Sequence, residues 1–251
     1  MKLLSLSVLA LLLPCNALAQ TPAPPPQTAA APLRHLVYSF TWGNSNDTQM
    51  SNSGMNASGG TAGSGMEDFG GTAADKGTIV VDVLREQTDS GLVVSVSEQA
   101  QTRRSAPPAT CVVYSDTTVL CDPNKQINAE EFTLLRFLGA HFVDPNQLDA
   151  KHHWHVERQG RVSTVADYTI SKNDFSGNLG IDEVRLIKEQ GSRSQTTTIN
   201  STIGYDFAHV IPTSISEFST LRNQQSDQYV TVTTQTVLKL QTDSMAAVTK
   251  N

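Results

Sequence analysis

Histidine supplies the densest group of candidate metal ligands in this sequence. His152, His153 and His155 surround Trp154 at the start of a strand-like segment. Residues two apart on a strand point to the same face, so His153 and His155 could bind one zinc or copper ion. The nearest further histidine is His141, and no third ligand follows with the spacing of a metal site. We therefore interpret the segment as a solvated strand edge with Trp154 in the core, predict no cofactor, and keep a metal site as the alternative.

A segment after the second of two paired cysteines resembles half of a calcium-binding loop. Residues 122–132, DPNKQINAEEF, carry oxygen-bearing side chains at the spacing of the second half of an EF-hand. In that register Leu120 stands where the first acid belongs, and Lys125 stands where the loop requires glycine. Asn128 and Glu131 also form a capping-box pattern, which is typical of a helix start. We therefore predict a helix that begins at Asn128 rather than a calcium site.

The sequence contains none of the common catalytic signatures. It has no GxSxG nucleophile elbow, no HExxH zinc-binding helix and no context for a reactive cysteine. The formal net charge of −6 comes with no basic block, which argues against nucleic acid as a partner. We therefore expect a protein that is not an enzyme and does not bind nucleic acid.

Two cysteines are placed to form a disulfide. Cys111 and Cys121 lie symmetrically about Asp116 in the segment CVVYSDTTVLC. The β-branched and aromatic residues on either side of a Ser-Asp turn predict a hairpin, which brings the cysteines opposite each other. Opposed positions of an antiparallel pair suit a disulfide bond. We predict this disulfide, which would form in an oxidising compartment.

The first residues have the pattern of an export signal. Lys2 precedes an apolar run at 3–13, and the triplet ALA at 17–19 is a typical cleavage site. The predicted signal is 1–19, and a Pro- and Ala-rich stem follows at 20–32. The apolar run is too short to span a membrane comfortably, and no second one exists. We expect an exported protein, periplasmic, in the cell envelope or secreted, without a transmembrane segment.

The folded domain is predicted at 33–251. In its first segment, LRHLVYSFTW, large apolar residues alternate with smaller ones, which is the period of a half-buried strand. The segment 43–77 is rich in Gly, Ser and Asn, and we predict a disordered loop that joins two paired strands.

Beyond this insertion, most segments have the pattern of strands, and one has the pattern of an amphipathic helix. Turn residues recur about every 10 to 15 residues, which indicates an antiparallel meander of about ten strands. Phe132, Leu135 and Leu138 fall on one stripe of the helix that begins at Asn128, and Gly139 is placed to end it. A helix with one apolar face must lie on another element, so we predict that it packs on the concave face of the sheet.

The predicted fold class is mainly β, an open or half barrel with one helix. In this order of elements the chain resembles periplasmic lipoprotein carriers of the LolA and LolB type, over most of residues 33–243. The resemblance implies a meander curled around a helix and a concave face that holds acyl chains. It rests on element order, and no functional residue is carried over from that family.

These observations predict a non-enzymatic binding or carrier protein for an apolar small molecule or lipid. An incompletely closed barrel with a helix on one face leaves room for such a ligand. The alternatives are a structural or adhesive envelope protein that contacts other proteins, and a secreted metal-binding protein or enzyme that uses His153 and His155. The residues predicted to line the pocket, or to form an ordinary core, are Tyr38, Phe40, Trp42, Phe132, Leu135, Leu138 and Trp154.

Overall fold

Antiparallel pairing joins eleven strands into a single sheet in the computed structural model of this chain. The predicted signal, most of the predicted stem and the middle of the predicted insertion lie outside the described residues. The structure describes residues 31–50, 73–87, 91–114, 117–138, 143, 149, 152–173, 177–189, 195–225 and 228–245.

The strands are long where polar and apolar residues alternate, because alternation lets one face of the sheet be buried and the other be hydrated. One helix, α1, lies between the fifth and sixth strands in the sequence. The elements are β1 Arg34–Met50, β2 Ala73–Gln87, β3 Gly91–Ala100, β4 Ala109–Val113, β5 Val119–Cys121, α1 Ala129–Leu135, β6 His153–Arg158, β7 Val162–Asn173, β8 Asn178–Glu189, β9 Gln195–Asp206, β10 Ile211–Gln225 and β11 Gln228–Asp243.

The order of strands across the sheet is β5-β4-β3-β2-β1-β11-β10-β9-β8-β7-β6. The first and last strands therefore pair at the centre, and β5 and β6 form the two edges. Because these edges do not pair with each other, the sheet is open. Among the described residues α1 is the helix that accompanies it, so the prediction of a mainly β, open architecture with one helix is confirmed.

One face of the sheet, here called the inner face, is covered by α1 and carries the hydrophobic core. Alternate residues of the strands point to this face and are buried there, among them Tyr38, Phe40, Ile203 and Ile215. The helix contacts the central strand, β11, and also β3 and β10, which lie on opposite sides of it. It therefore lies across the middle of the inner face.

The predicted disulfide is confirmed. Cys111 of β4 and Cys121 of β5 are directly opposite each other in the strand register, with their Cα atoms 4.0 Å apart, and their sulfur atoms are bonded. The turn hydrogen bond from the N–H of Tyr114 to the carbonyl oxygen of Thr118 closes the hairpin. A loop of this length stabilises the fold by about 2 to 3 kcal/mol.

The helix begins where the capping pattern predicts. It is shorter than the predicted helix, and a different side of it faces the sheet. The N–H of Asn128 donates to Oε2 of Glu131 at 2.9 Å. Regular helix ends at Leu135, and the next turn tightens, since the N–H of Leu138 donates to the carbonyl oxygen of Leu135.

The described part of the chain contains no helix with the length and hydrophobicity of a membrane-spanning segment.

The prediction that Phe132 faces the sheet is wrong, because its side chain is 45% exposed. Charged residues occupy the inward side of α1 in its place, with Glu130 and Arg136 at 0% and 3% exposure. The apolar stripe read from the sequence assumed that charged side chains point to water. Here they point to the sheet because partners of opposite charge lie beneath them, Arg103 in the segment after β3 and Glu217 on β10.

The strands that flank the predicted insertion are longer than the sequence pattern indicates. β1 continues to Met50 along β11, and β2 begins at Ala73. The prediction of a disordered loop over all of 43–77 is therefore wrong at both ends. Strand pairing uses backbone hydrogen bonds, which do not require apolar side chains, and the neighbouring strand is rich in threonine. Residues 51–72 lie outside the described residues.

Candidate functional site

A row of mainly polar side chains crosses the inner face of the sheet. Its members are directly opposite one another from strand to strand, so the strand register places them in one line. Except for Trp42, which is half-buried, all are buried. This polar row consists of Tyr168, Glu183, Ser201, Glu217, Thr236, Trp42 and Asp75.

The next inward-facing line of residues is apolar. It is buried at its centre, and neighbouring members are again opposite each other in the register. This apolar row consists of Ile170, Ile181, Ile203, Ile215, Leu238 and Phe40. Gly77 continues the line on β2, and a Cβ atom there would lie 2.8 Å from the Phe40 ring and closer still to the carbonyl oxygen of Gln99. Glycine is therefore required at this position for the ring to lie over the strand.

Arg136 joins the last turn of α1 to the polar row. Its Nη1 donates to Oε1 of Glu183 at 3.1 Å, and its Nη2 donates to Oε2 of Glu217 at 2.5 Å. The hydroxyl of Thr133, also on α1, donates to Oε1 of Glu217 at 3.1 Å. Because all these groups are buried, the end of the helix is attached through charge-assisted hydrogen bonds that exclude water.

Glu183 is the most fully satisfied carboxylate of this group. Besides Arg136, it accepts hydrogen bonds from Arg185 Nε at 2.8 Å, from the Tyr168 hydroxyl at 3.0 Å and from the Ser201 hydroxyl at 2.7 Å. Burial raises its pKa, but Arg136 and Arg185 outweigh burial and hold that pKa below its usual range. The Arg136 cluster, defined as Arg136, Arg185, Glu183 and Glu217, is thus electrically balanced.

Arg103, in the segment after β3, joins the start of α1 to the sheet. Its Nε donates to Oδ2 of Asp75 at 3.1 Å, and its Nη2 donates to Oε1 of Glu98 at 2.9 Å. The same Nη2 also contacts Oε1 of Glu130 on α1. Its guanidinium lies over the Trp42 ring, 5.3 Å from the ring centroid, which adds a cation–π contact. The Arg103 cluster, defined as Arg103, Asp75, Glu98 and Glu130, therefore holds more carboxylates than cations.

The carboxylates of the Arg103 cluster differ in how well they are satisfied. Asp75 accepts hydrogen bonds from the backbone N–H groups of Lys76, Thr102 and Arg103. Although burial acts to raise its pKa, hydrogen bonding with Thr102, Lys76 and the Arg103 side chain holds the pKa of Asp75 below its usual range. Burial and the nearby Glu130 raise the pKa of Glu98 to about 7. Asp75 is therefore a fixed charge, whereas Glu98 can gain a proton near neutral pH.

The residues predicted to line a pocket are packed together in one core, except for Phe132. Phe40, Leu135 and Leu138 are all buried in this core. Trp154 stacks on Tyr168, with the two ring centroids 4.9 Å apart. Tyr38 is also in this core, and its hydroxyl donates to the carbonyl oxygen of Pro212 at 2.8 Å. Half-buried Trp42 packs against the core. Side chains fill the inner face, so any ligand bound there must displace some of them.

The two histidines considered for metal binding lie on edge strand β6 and contact a carboxylate. Nδ1 of His155 lies 2.7 Å from Oδ1 of Asp167, and Nε2 of His153 lies 3.3 Å from the same oxygen. The hydrogen bond with His155 is the main cause that lowers the pKa of Asp167. In the described part of the chain, no group of three or more His, Cys, Asp or Glu residues is arranged to hold a metal ion.

Sequence reasoning missed the charged residues beneath α1, although a signal for them exists. Glu183 and Arg185 share the strand parity of Ile181, and Glu217 shares that of Ile215. A charged side chain at a position that alternates with core residues points into the core, where it needs a partner. Arg136, the cation that follows the last residue of the helix, gives no such signal of its own.

Comparison with known proteins gives no family for this chain. No family model matches it, and no curated protein matches it. A solved structure of lipovitellin, described for its lipid-protein interactions, aligns with 85% of this chain at 9% sequence identity and a TM-score of 0.45. This chain spans 25% of the length of that lipovitellin chain. At this similarity, no residue role is transferred to this chain.

Proposed function

We propose that this chain is an exported, non-enzymatic binding protein that holds an apolar molecule, such as an acyl chain, against the inner face of the sheet beneath α1. The observation that carries the proposal is the attachment of α1. The helix crosses a face lined by the apolar row, and buried charges at both of its ends join it to the sheet. The helix is thus a cover that can separate from an apolar surface.

Charged attachment favours a cover that moves. Burying an ion pair removes both partners from water, and the desolvation cost cancels much or all of their attraction. When Arg136 leaves Glu183 and Glu217, all three regain hydration, so separation costs less than the loss of the same area of apolar packing. The two leucines of α1, Leu134 and Leu135, are buried and would exchange contacts with the sheet for contacts with the ligand.

The apolar row has the dimensions of an extended acyl chain. It runs from Ile170 on β7 to Phe40 on β1, across six neighbouring strands. With roughly 4.8 Å between strands, the row is about 24 Å long. A ligand lying along it would contact side chains of several strands at once, which is the geometry of an apolar binding groove.

In this proposal the carboxylates of the site have a structural role. Glu183 is saturated by donors from Arg136, Arg185, Tyr168 and Ser201. A carboxylate held in this way is poorly placed to accept a further proton from a substrate. The Cys111–Cys121 disulfide supports export, because disulfides persist in oxidising compartments.

Native mass spectrometry of the mature protein tests the proposal. We expect a stoichiometric adduct after incubation with a mixture of fatty acids and phospholipids, and denaturing extraction would release an intact apolar molecule. Glu157→Gln, a substitution on the outer side of β6 and away from α1, should retain the adduct. A mass equal to that of the bare chain with one disulfide would overturn the proposal. It would favour the alternative of protein contacts through the other face, where Val184 and Phe218 are exposed.

A further inference from the structure

Two carboxyl groups lie side by side where the start of α1 contacts the sheet. Glu98 lies on β3 and Glu130 on α1, and their Oε1 atoms contact the same nitrogen, Nη2 of Arg103. Their side chains are 3% and 0% exposed. The two carboxyl groups therefore meet in a buried position, one from each of the elements that would separate when the cover opens.

The second oxygens of this pair have no hydrogen-bond partner. Oε2 of Glu98 and Oε2 of Glu130 are both buried without one in the described part of the chain. Two ionised carboxylates so placed repel each other, and neither can satisfy the other. A single proton changes this, because a protonated carboxyl donates to the oxygen of its neighbour.

Every element packed around the two carboxyl groups places charged, polar or aromatic side chains beside them. β2 contributes Asp75, the segment after β3 contributes Arg103, and α1 contributes Glu131 in addition to Glu130. The N-cap residue Asn128 lies close to Glu98 and acts to lower its pKa, and β1 contributes the rings beneath Arg103, those of Phe40 and Trp42. Arg103 is thus the cation that these carboxylates share, and the site carries excess negative charge whenever all of them are ionised.

We propose that Glu98 forms a proton-operated latch with Glu130, which holds α1 on the sheet when Glu98 carries a proton and loosens it when Glu98 is ionised. The latch rests on the proposed function, since it regulates the cover of the same site. It makes the exchange of an apolar ligand slow in acid and faster above neutral pH.

The direction of the pH effect follows from proton linkage. Burial and Glu130 raise the pKa of Glu98 from its ordinary 4.5 to about 7 in the docked state. When α1 lifts, the carboxyl is hydrated and its pKa returns toward the ordinary value. The docked state thus binds the proton more tightly, so docking is strongest below the ordinary pKa and is weakened as pH rises toward about 7.

Hydrogen exchange of the mature, ligand-free protein tests the latch. The exchange rates of the α1 amides, corrected for the intrinsic effect of pH, are compared at about pH 5.5 and about pH 8.5. We expect the opening equilibrium of α1 to increase on the order of tenfold at the higher pH. Glu98→Gln, which keeps the shape and removes the charge, should abolish this increase, whereas Glu157→Gln at the exposed edge should retain it. An increase of the same size in Glu98→Gln, or no increase in the native chain, would overturn the latch.

A second measurement needs no variant. The carboxyl carbon of Glu98 can be followed by NMR as pH changes, and the latch requires a midpoint near 7. A midpoint near the ordinary value of 4.5 would contradict it. Both measurements use the protein without ligand, so they separate the two proposals. A pH-sensitive α1 in a protein that binds no apolar molecule overturns the proposed function alone, and an adduct on a protein whose α1 ignores pH overturns the latch alone.

Discussion

The two ends of α1 are attached to the sheet by arginines whose surroundings differ in charge balance. At the Arg136 cluster, two arginines face Glu183 and Glu217, and hydroxyl groups satisfy the remaining oxygens. At the Arg103 cluster one guanidinium faces Asp75, Glu98 and Glu130. The attachment of α1 at the Arg136 cluster therefore changes little over a wide pH range, whereas its attachment at the Arg103 cluster depends on the pH.

Arg136→Met should give the largest effect, because it removes the cation from the balanced cluster and leaves Glu217 buried without it. We expect a loss of about 3 to 5 kcal/mol in the free energy of unfolding. The measurement is chemical denaturation at neutral pH, with the native chain as reference.

The matched control is Arg161→Met, which removes an arginine that is 83% exposed and lies 3.8 Å from Glu189. Exposed pairs contribute between 0 and about 1 kcal/mol, so this variant should stay close to the native chain. Equal losses in the two variants would show that α1 is not attached through Arg136.

A matched pair of Glu→Gln substitutions sharpens the contrast between the clusters. Glu183→Gln should lower the free energy of unfolding at neutral pH by about 2 to 3 kcal/mol, because it removes charge-assisted hydrogen bonds from Arg136 and Arg185. Glu98→Gln should change it by no more than about 1 kcal/mol, and toward greater stability, because it removes repulsion from Glu130. Denaturation curves over a range of pH provide the measurement.

The two substitutions should also change the pH profile in opposite directions. The pKa of Glu183 is lowered on folding, so its contribution is present above its unfolded pKa and is lost as pH falls. The pKa of Glu98 is raised to about 7, so its contribution is present in acid and is lost as pH rises toward that value. Glu183→Gln should flatten the acid side of the profile, and Glu98→Gln the side toward neutrality. Parallel profiles for the two variants would remove the distinction between the clusters.

The local features of the fold were predictable from the sequence because each depends on residues close together in the chain. The Cys111–Cys121 hairpin, the alternation in β1 and the helix start at Asn128 are of this kind. The order of strands follows from a meander, except that the consecutive strands β5 and β6 form the two edges and β1 pairs with β11. The pairing of β1 with β11 joins segments at opposite ends of the domain, and no local pattern indicates it.

The candidate site was not predictable because its contacts depend on strand register. Glu183 and Glu217 meet Arg136 only because Ser201 lies between them in the register of β8, β9 and β10. Strand parity marks both acids as inward-facing but does not identify their partner. The outward position of Phe132 has the same origin, since the partners on the sheet decide which side of α1 is buried.

Photo-crosslinking with a diazirine-bearing fatty acid tests most directly the claim that an apolar ligand lies between α1 and the inner face. After illumination and digestion, mass spectrometry identifies the labelled peptides. We expect labels on α1 and on the strands that carry Ile203, Ile215 and Leu238, and competition by unlabelled fatty acid should remove them. Labels confined to exposed outer-face residues such as Val184 and Phe218, or labelling that competitor does not reduce, would contradict it.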